Sequence, residues 1–580
     1  MKIDFKNAFN SVERDEMLKN IKLKSPSIYR FMWQCYSSPS ILFFGNEQIM
    51  SEVGAQQGDP CRPLAFSLII QPIIENLLSE LNIWYLDDGT LGGDPDTVLN
   101  DLKFIIDECQ NIGLEINPEK CELFFCSDRI ESTVQDFEAI CPGIKILTND
   151  LELLGAPISE GSEERIILKK HSELKVMFER LNHLNCHTAY FLLKTCFTVP
   201  RLTYLLRTSP CFRHNNLLKS IDDDVKQTFE SISNCQLNND KWSKVSMPIR
   251  FGGMGIRKCE DIVLPAFLSS INSVINLVTL MLPNITDETM IADYTDALNN
   301  WSLLSESIPE AKIYQNEWDD SLMQDKLESL TFHSKKDKAR HLASLHSESN
   351  AWLTALPSKF VGTFLDNNTF RIATALRIGC DVCKQHQCVC GDIVSTDGTH
   401  GLSCLNSAGR LPCHAELNTI MQSALQSAII PSKKEPPGMF RDDGKRVDGV
   451  TLVPWSRGQM LVWDATCSDT LAPSYLDRSS LKSGSVAELA ASNKHRKYKG
   501  LLEQNYLILP FAVETLGVWC SEAIGFIKKL GKMITQATGE KNSTLYLKQR
   551  ISLAIQRNNA ARVMGTFDVS ENMKEIFYIL

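Results

Sequence analysis

The chain carries no surplus of positive charge. Over 580 residues, 60 Lys and Arg stand against 70 Asp and Glu, a formal net charge of −10. A protein that coats nucleic acid non-specifically is usually basic, so this balance speaks against that class, while leaving room for an enzyme with a local basic groove. Biased tracts and internal repeats are also absent. Hydrophobic residues make up 43% and charged residues 22%, a globular composition that excludes wholesale disorder and fibrous classes. No apolar segment follows Met1, where Lys2 and Asp4 come at once, so no signal peptide is expected. One charge-free stretch runs over 262–286. It holds Ser269, Ser270, Asn272, Ser273, Asn276 and two prolines, and reads as a buried helix pair rather than a bilayer span. Without a secretory signal, the 19 cysteines read as reduced thiols or metal ligands, not as a disulfide framework.

The length suggests several domains, and the pattern along the chain is mixed α/β (α+β). Residues 1–160 combine short strand-like runs, 41–44 and 83–86, with an amphipathic helix over 98–109 whose Leu99, Leu102, Ile105 and Ile106 share one face. Residues 161–345 are helix-rich, broken by the turn Phe251-Gly252-Gly253-Met254-Gly255. Composition shifts to Cys, His and Gly around 380–413, within a segment 346–415. A Pro/Gly-rich connector at 435–444 precedes strand signals at 447–453 and 459–464 in a last segment, 416–580.

Three aspartates stand out. Tyr85-Leu86-Asp87-Asp88-Gly89 is an apolar strand reaching two adjacent carboxylates and then turning at Gly89. Neighbouring strand residues face opposite sides, so a tight turn is needed to present both at one site. Paired carboxylates are costly to bring together unless a divalent cation neutralises them. Upstream, Ile3-Asp4-Phe5 places another Asp after an apolar residue. Between them lie Gln56-Gln57-Gly58-Asp59-Pro60 and a helix-like run, 63–74. Downstream come Gly113-Leu114-Glu115-Ile116-Asn117-Pro118-Glu119-Lys120 and Leu153-Leu154-Gly155.

This ordered set resembles the palm of a reverse transcriptase, most like those of non-LTR retrotransposons. The resemblance implies RNA-directed DNA synthesis on an RNA template from a DNA primer and deoxynucleotides, with Asp4, Asp87 and Asp88 holding Mg²⁺ (or Mn²⁺) in a two-metal centre. It implies that Phe9 blocks a ribose 2′-hydroxyl, that Gln57 and Gly58 contact template and incoming nucleotide, and that Lys120 protonates pyrophosphate. In that family a fingers subdomain precedes the first aspartate, whereas Asp4 here lies three residues after Met1, so the palm is expected to be truncated at its N-terminus. Residues 161–345 correspond to a helical thumb and connection. There Lys169-Lys170-His171 reads as a solvated helix face, with template phosphate contact as the alternative.

A Cys/His cluster follows: Cys380, Cys383, His386, Cys388, Cys390, His400 and Cys404. Thiolate and imidazole ligands at such spacings suit tetrahedral Zn²⁺. The expected set is Cys388, Cys390, His400 and Cys404, with Cys383 as substitute, so one of the five is surplus. The cluster resembles the CCHC knuckle of retrotransposons that encode a restriction-like endonuclease. Cys413-His414 stands where that group often shows Arg-His.

Beyond it, Lys445-Arg446-Val447-Asp448-Gly449 and Val462-Trp463-Asp464-Ala465-Thr466 form two strand segments around a turn at 454–458. A hairpin of this length brings Asp448 and Asp464 to one edge, where they could hold Mg²⁺ for phosphodiester hydrolysis. The helix-like stretch 486–502 offers Lys494 and Lys497, three apart and so on one face. This resembles the PD-(D/E)XK nuclease of the same retrotransposon class, with Glu435 as an accessory acid. The combination implies nicking of target DNA and priming of reverse transcription from the exposed 3′-hydroxyl, in the nucleus, without a membrane partner. The alternatives are a catalytically inactive nucleic-acid-binding remnant, or a nuclease active without the polymerase.

Overall fold

The short strand that leads into Asp4 lies at the centre of a five-stranded sheet. In order, the sheet is Leu81–Tyr85, Asp88–Gly92, Lys2–Ile3, Glu122–Phe124 and Lys145–Leu147. The first four are antiparallel neighbours, and the last pair is parallel. The computed structural model describes residues 1–126, 131–159, 161–282, 284–407, 410–437 and 446–567, with only the backbone at 410–413. It divides into two compact units, Met1–Ser162 and the chain from Glu163 onward.

In the first unit, helices cover the sheet with the faces the sequence marks as apolar. Pro95–Gln110 buries Val98, Leu99, Leu102 and Ile105, and the Asp94 side chain caps its first turn by accepting from the Thr97 N–H. Arg62–Ile74 buries Phe66, Ile69, Ile70 and Ile73. The turn between the two carboxylate-bearing strands differs from expectation. It lies at Leu86-Asp87, with Tyr85 paired to Asp88, and Leu86 takes the left-handed conformation at φ 60°. Gly89 is instead a strand residue paired with Ile3. Its missing side chain makes room for Trp84, whose ring would lie 2.5 Å from a Cβ there.

The second unit has a large helical core, in which Tyr190, Phe229, Phe267, Trp301, Trp318, Trp352 and Phe370 are buried. The stretch 262–286 does not form a helix pair. One helix, Cys259–Met281, runs through Pro265. Burial on all sides of Ile262, Val263, Leu264, Ala266, Phe267 and Leu268 outweighs the hydrogen bond that proline removes. Its polar residues bond back to the same helix, Asn272 Nδ2 to the Leu268 carbonyl and Ser269 Oγ to that of Ala266. The helix is long and apolar enough to cross a membrane, yet half of its most apolar window is buried within this unit. His171 does not join a solvated face either. It is buried, with Nε2 2.7 Å from Asp224 Oδ2, while Lys170 pairs with Glu173.

The unit also contains a four-stranded sheet ordered Ser432–Lys434, Gly449–Thr451, Leu461–Ser468 and Leu507–Glu514. The first three are antiparallel, and the last two run parallel over eight paired residues. A parallel pair needs a crossover connection, and the helix Ser485–Lys497 lies in it. Trp463 and Phe511 fill the core beneath, against Leu425 from Arg410–Ser427, Phe526 and Leu530 from Ser521–Thr538, and Ile551 and Ile555 from Ser543–Met564. The predicted strand over 447–453 is shorter, Gly449–Thr451, with bends at Asp448 and at Leu452-Val453 on either side.

Candidate functional site

Asp4 follows the central strand of the first unit. Its carbonyl accepts the Asn117 N–H at 2.8 Å, and Phe5 bridges to Ile116, which draws the segment ending in Lys120 alongside. Lys120 Nζ stands 3.7 Å from Asp4 Oδ1. On the other side, the Ile3–Gly89 pairing sets the Leu86-Asp87 turn beside Asp4. The proximity shows electrostatically. Burial, then the Asp87 and Asp4 charges, push the Asp88 carboxyl above its ordinary range, against the opposing pull of Lys2 and Lys120. Asp4 Oδ1 is buried without a hydrogen-bond partner, the condition a cation would relieve. Carboxylate oxygens are the donors that Mg²⁺ and Mn²⁺ take, but Asp4, Asp87 and Asp88 do not gather their ligand atoms within 4.8 Å of one another in this structure.

Phe9 lies on the short helix Ala8–Ser11. Its ring centroid is 4.5 Å from that of Phe66, and the Arg62 guanidinium covers it at 4.5 Å. Gln57 and Gly58 are exposed, and Gly58, at φ 91°, has open space where a Cβ would go. The sheet and its carboxylate turn agree with the comparison of the sequence. Residues 1–158 match the family model of the reverse transcriptase, an RNA-dependent DNA polymerase. No curated protein matches the chain. The match supports RNA-directed DNA polymerase function for the first unit, and with it binding of RNA template, DNA and nucleotides. In this reverse transcriptase unit, each of Asp4, Asp87, Asp88 and Lys120 falls at the carboxylate turn or within reach of it.

Among the described residues, two groups do gather three or more potential metal ligands, both in the second unit. Cys388, Cys390, His400 and Cys404 place one ligand atom each within 4.8 Å of one another. Cys388 Sγ is 3.7 Å from Cys404 Sγ, and Cys390 Sγ is 3.3 Å from His400 Nε2. A tetrahedral Zn²⁺ with Zn–S bonds of about 2.3 Å needs sulfur–sulfur edges of about 3.8 Å, so the set fits zinc. Gly391 sits in the turn at φ 96°, and its N–H donates to the Cys388 carbonyl. Cys383 is outside the group, since its thiol faces the Ser395 and Thr396 carbonyls instead. Cys380 likewise bonds the Gln236 carbonyl. His386 stacks on Phe567 and bonds Thr566.

The second group is His414, Asp448 and Asp464, again within 4.8 Å. Asp464 lies on the sheet's central strand, and Asp448 immediately precedes the adjacent one. Lys494 Nζ approaches Asp464 Oδ1 at 2.5 Å, and the Tyr498 hydroxyl donates to Asp464 Oδ2. The lysine's helix is anchored by Glu514, whose Oε1 accepts from the N–H groups of Val486 and Ala487. The Lys497 ammonium lies 5.7 Å from the centre of the Tyr498 ring. Glu435 reaches Asp448 only through its main chain, N–H to carbonyl, and its side chain is exposed outside the group. Lys445 and the side chain of Cys413 lie outside the described residues.

His414 and Tyr498 were not picked out as site residues from the sequence. The available signal for Tyr498 was its place one residue after Lys497. For His414 it is its place in Cys413-His414, where the resembled class often shows Arg-His.

Proposed function

We propose that this chain is a reverse transcriptase of the non-LTR retrotransposon type, joined to a helical thumb, a zinc knuckle and a restriction-like endonuclease. The reading rests chiefly on one observation: Asp448, Asp464 and Lys494 converge on one edge of a mixed sheet in the same chain as the reverse transcriptase match. In this reading the endonuclease nicks target DNA, and the reverse transcriptase extends the new 3′-hydroxyl along an RNA template. Divalent cations at the two carboxylate centres would supply charge for phosphoryl transfer and lower the pKa of the attacking hydroxyl or water.

The chain's own residues have separate tasks. Asp4, Asp87 and Asp88 hold cation and nucleotide at the polymerase turn. Lys120 delivers a proton to pyrophosphate, and Phe9 screens the sugar. Gln57 and Gly58 offer an open surface to template and nucleotide. Asp448 and Asp464 hold the cation of the nuclease, and Lys494 stabilises the phosphorane. Cys388, Cys390, His400 and Cys404 hold zinc.

The test is a paired assay on the full chain. One arm is primer extension on RNA with Mg²⁺ and deoxynucleotides, comparing the parent with Asp87→Ala. The other is plasmid nicking, comparing the parent with Asp464→Ala. Each activity is expected in the parent and lost in its own variant. A folded parent that neither extends nor nicks overturns the proposal and leaves a nucleic-acid-binding protein.

A further inference from the structure

The three side chains His414, Asp448 and Asp464 look like a ready ligand set, but the hydrogen bonds behind His414 assign it a different job. Trp463, whose indole N–H can only donate, gives its proton to Asn418 Oδ1 at 3.1 Å. That fixes the amide, so Asn418 Nδ2 is the atom facing His414 Nδ1 at 3.3 Å. An amide nitrogen only donates, so His414 Nδ1 must accept, and the neutral ring carries its proton on Nε2. Nε2 lies 2.9 Å from Asp448 Oδ2. The same oxygen also accepts the Ala465 N–H at 2.7 Å. For Nε2 to ligate a metal, the proton would have to move to Nδ1, where it would face the Asn418 amide N–H, donor against donor.

We infer that His414 is a positioning residue of the nuclease centre and not a metal ligand. Trp463, Asn418 and His414 form a one-way chain of donors that ends on Asp448 Oδ2, holds that carboxylate in place and leaves Oδ1 for the cation. The inference rests on the nuclease reading above. The chain is built from two elements. Asn418 and His414 are one turn apart on the helix Arg410–Ser427, whereas Trp463 precedes Asp464 on the central strand. Trp463 is fully buried and Asn418 nearly so, so the far end of the relay is rigid, and only its last link reaches solvent. Hydrogen-bonded partners of this kind set the orientation of a ligating carboxylate, and their loss typically weakens metal affinity by about 10–100-fold.

The experiment uses the zinc-loaded full chain and Mn²⁺ as probe, followed at the Mn²⁺ site that Asp464→Asn removes. Affinity is read by titration of the free-Mn²⁺ electron paramagnetic resonance signal, and ligation by electron spin echo modulation from a coordinated imidazole nitrogen. At that site we expect no imidazole modulation in the parent. His414→Ala should lose affinity by at least tenfold, the lower end of that range. His414→Gln, whose side-chain amide can still donate to Asp448, should recover most of it. The His414 side chain is half exposed, so truncation leaves the core in place. Modulation that disappears with His414→Ala makes His414 a ligand and overturns the inference. Unchanged affinity in His414→Ala overturns it as well. If Asp464→Asn alters no Mn²⁺ binding, the nuclease reading itself fails and the inference falls with it.

Discussion

The two carboxylate centres hold their charge in opposite ways. At the reverse transcriptase turn, Asp4 Oδ1 is buried with no hydrogen bond, and Lys120, on an exposed side chain, stays 3.7 Å away. On the second unit's sheet, Asp464 has Lys494 at 2.5 Å and the Tyr498 hydroxyl, and Asp448 receives two N–H donors. The first centre has a buried oxygen with no hydrogen bond, while in the second Lys494 offsets one of the two carboxylate charges and the remaining donors hold both side chains in place. The difference teaches that clustered carboxylates can be left short of hydrogen bonds or be held by them. The first stores repulsion that binding relieves, and the second spends hydrogen bonds on orientation.

The largest effect that would sharpen this contrast is separation of the two activities. Asp87→Ala should lower primer extension by at least about 10²-fold, on the scale of losing one preorganised charge-stabilising group, and leave nicking unchanged. Asp464→Ala should do the reverse. A variant that abolishes both would break the comparison by showing that the centres work as one. Zinc removal comes next. A chelator should lower the thermal midpoint of the second unit by several degrees or more, and leave the transition of the reverse transcriptase unit in place, as followed by calorimetry.

Acid should also act on the second unit. Burial, with nearby Lys194 and Arg557, pushes the His187 pKa down to about 4. Burial, with Lys244 and Arg377, does the same to His341, also to about 4. His187 Nδ1 accepts the Leu365 N–H, which protonation would break. Both rings stay neutral in the folded state, whereas the unfolded chain takes up protons as pH falls below about 6.5. Stability is therefore present at neutral pH and lost between about 6.5 and 4, by about 2 kcal/mol per histidine at pH 5. Denaturant midpoints of the parent and His187→Gln at pH 7 and 5 check this, since the variant should lose less on acidification.

The smallest effect is local to the polymerase turn. Gly89→Ala puts a methyl against the Trp84 ring, which lies 2.5 Å from the Cβ position. It should cost about 1–3 kcal/mol by overpacking, measured as a shift in the first unit's unfolding, and lower extension without touching nicking.

Much of the fold was readable where pattern and element coincide. The apolar face of 98–109 became the buried face of Pro95–Gln110, and the Cys388, Cys390, His400 and Cys404 spacing gathered one ligand set. What escaped reading depended on side-chain size or on distant partners. Nothing in Tyr85-Leu86-Asp87-Asp88-Gly89 says that Trp84 fills the space beside Gly89 or that the turn lies at Leu86-Asp87. Cys-x₂-Cys spacing kept Cys383 in contention until backbone carbonyls drew its thiol away. The relay from Trp463 to Asp448 joins residues up to 45 positions apart, and its direction follows from which atoms can only donate. Lys494 and Lys497 share a helix face by count, and the ion pair that places Lys494 on Asp464 depends on a strand 30 residues upstream.

The helix Ser543–Met564 gives Leu547, Ile551, Ala554 and Ile555 to the core under the four-stranded sheet, and Leu553, Ala560 and Val563 to the helical core. Neither core is complete without it. The four-stranded sheet is therefore not a detachable cassette: a boundary drawn anywhere before this helix strands an apolar stripe on one side and leaves a cleft on the other. Such a block is inherited whole. A frameshift or stop that removes the helix would disable the sheet and the helical region together, while the reverse transcriptase unit keeps a core of its own.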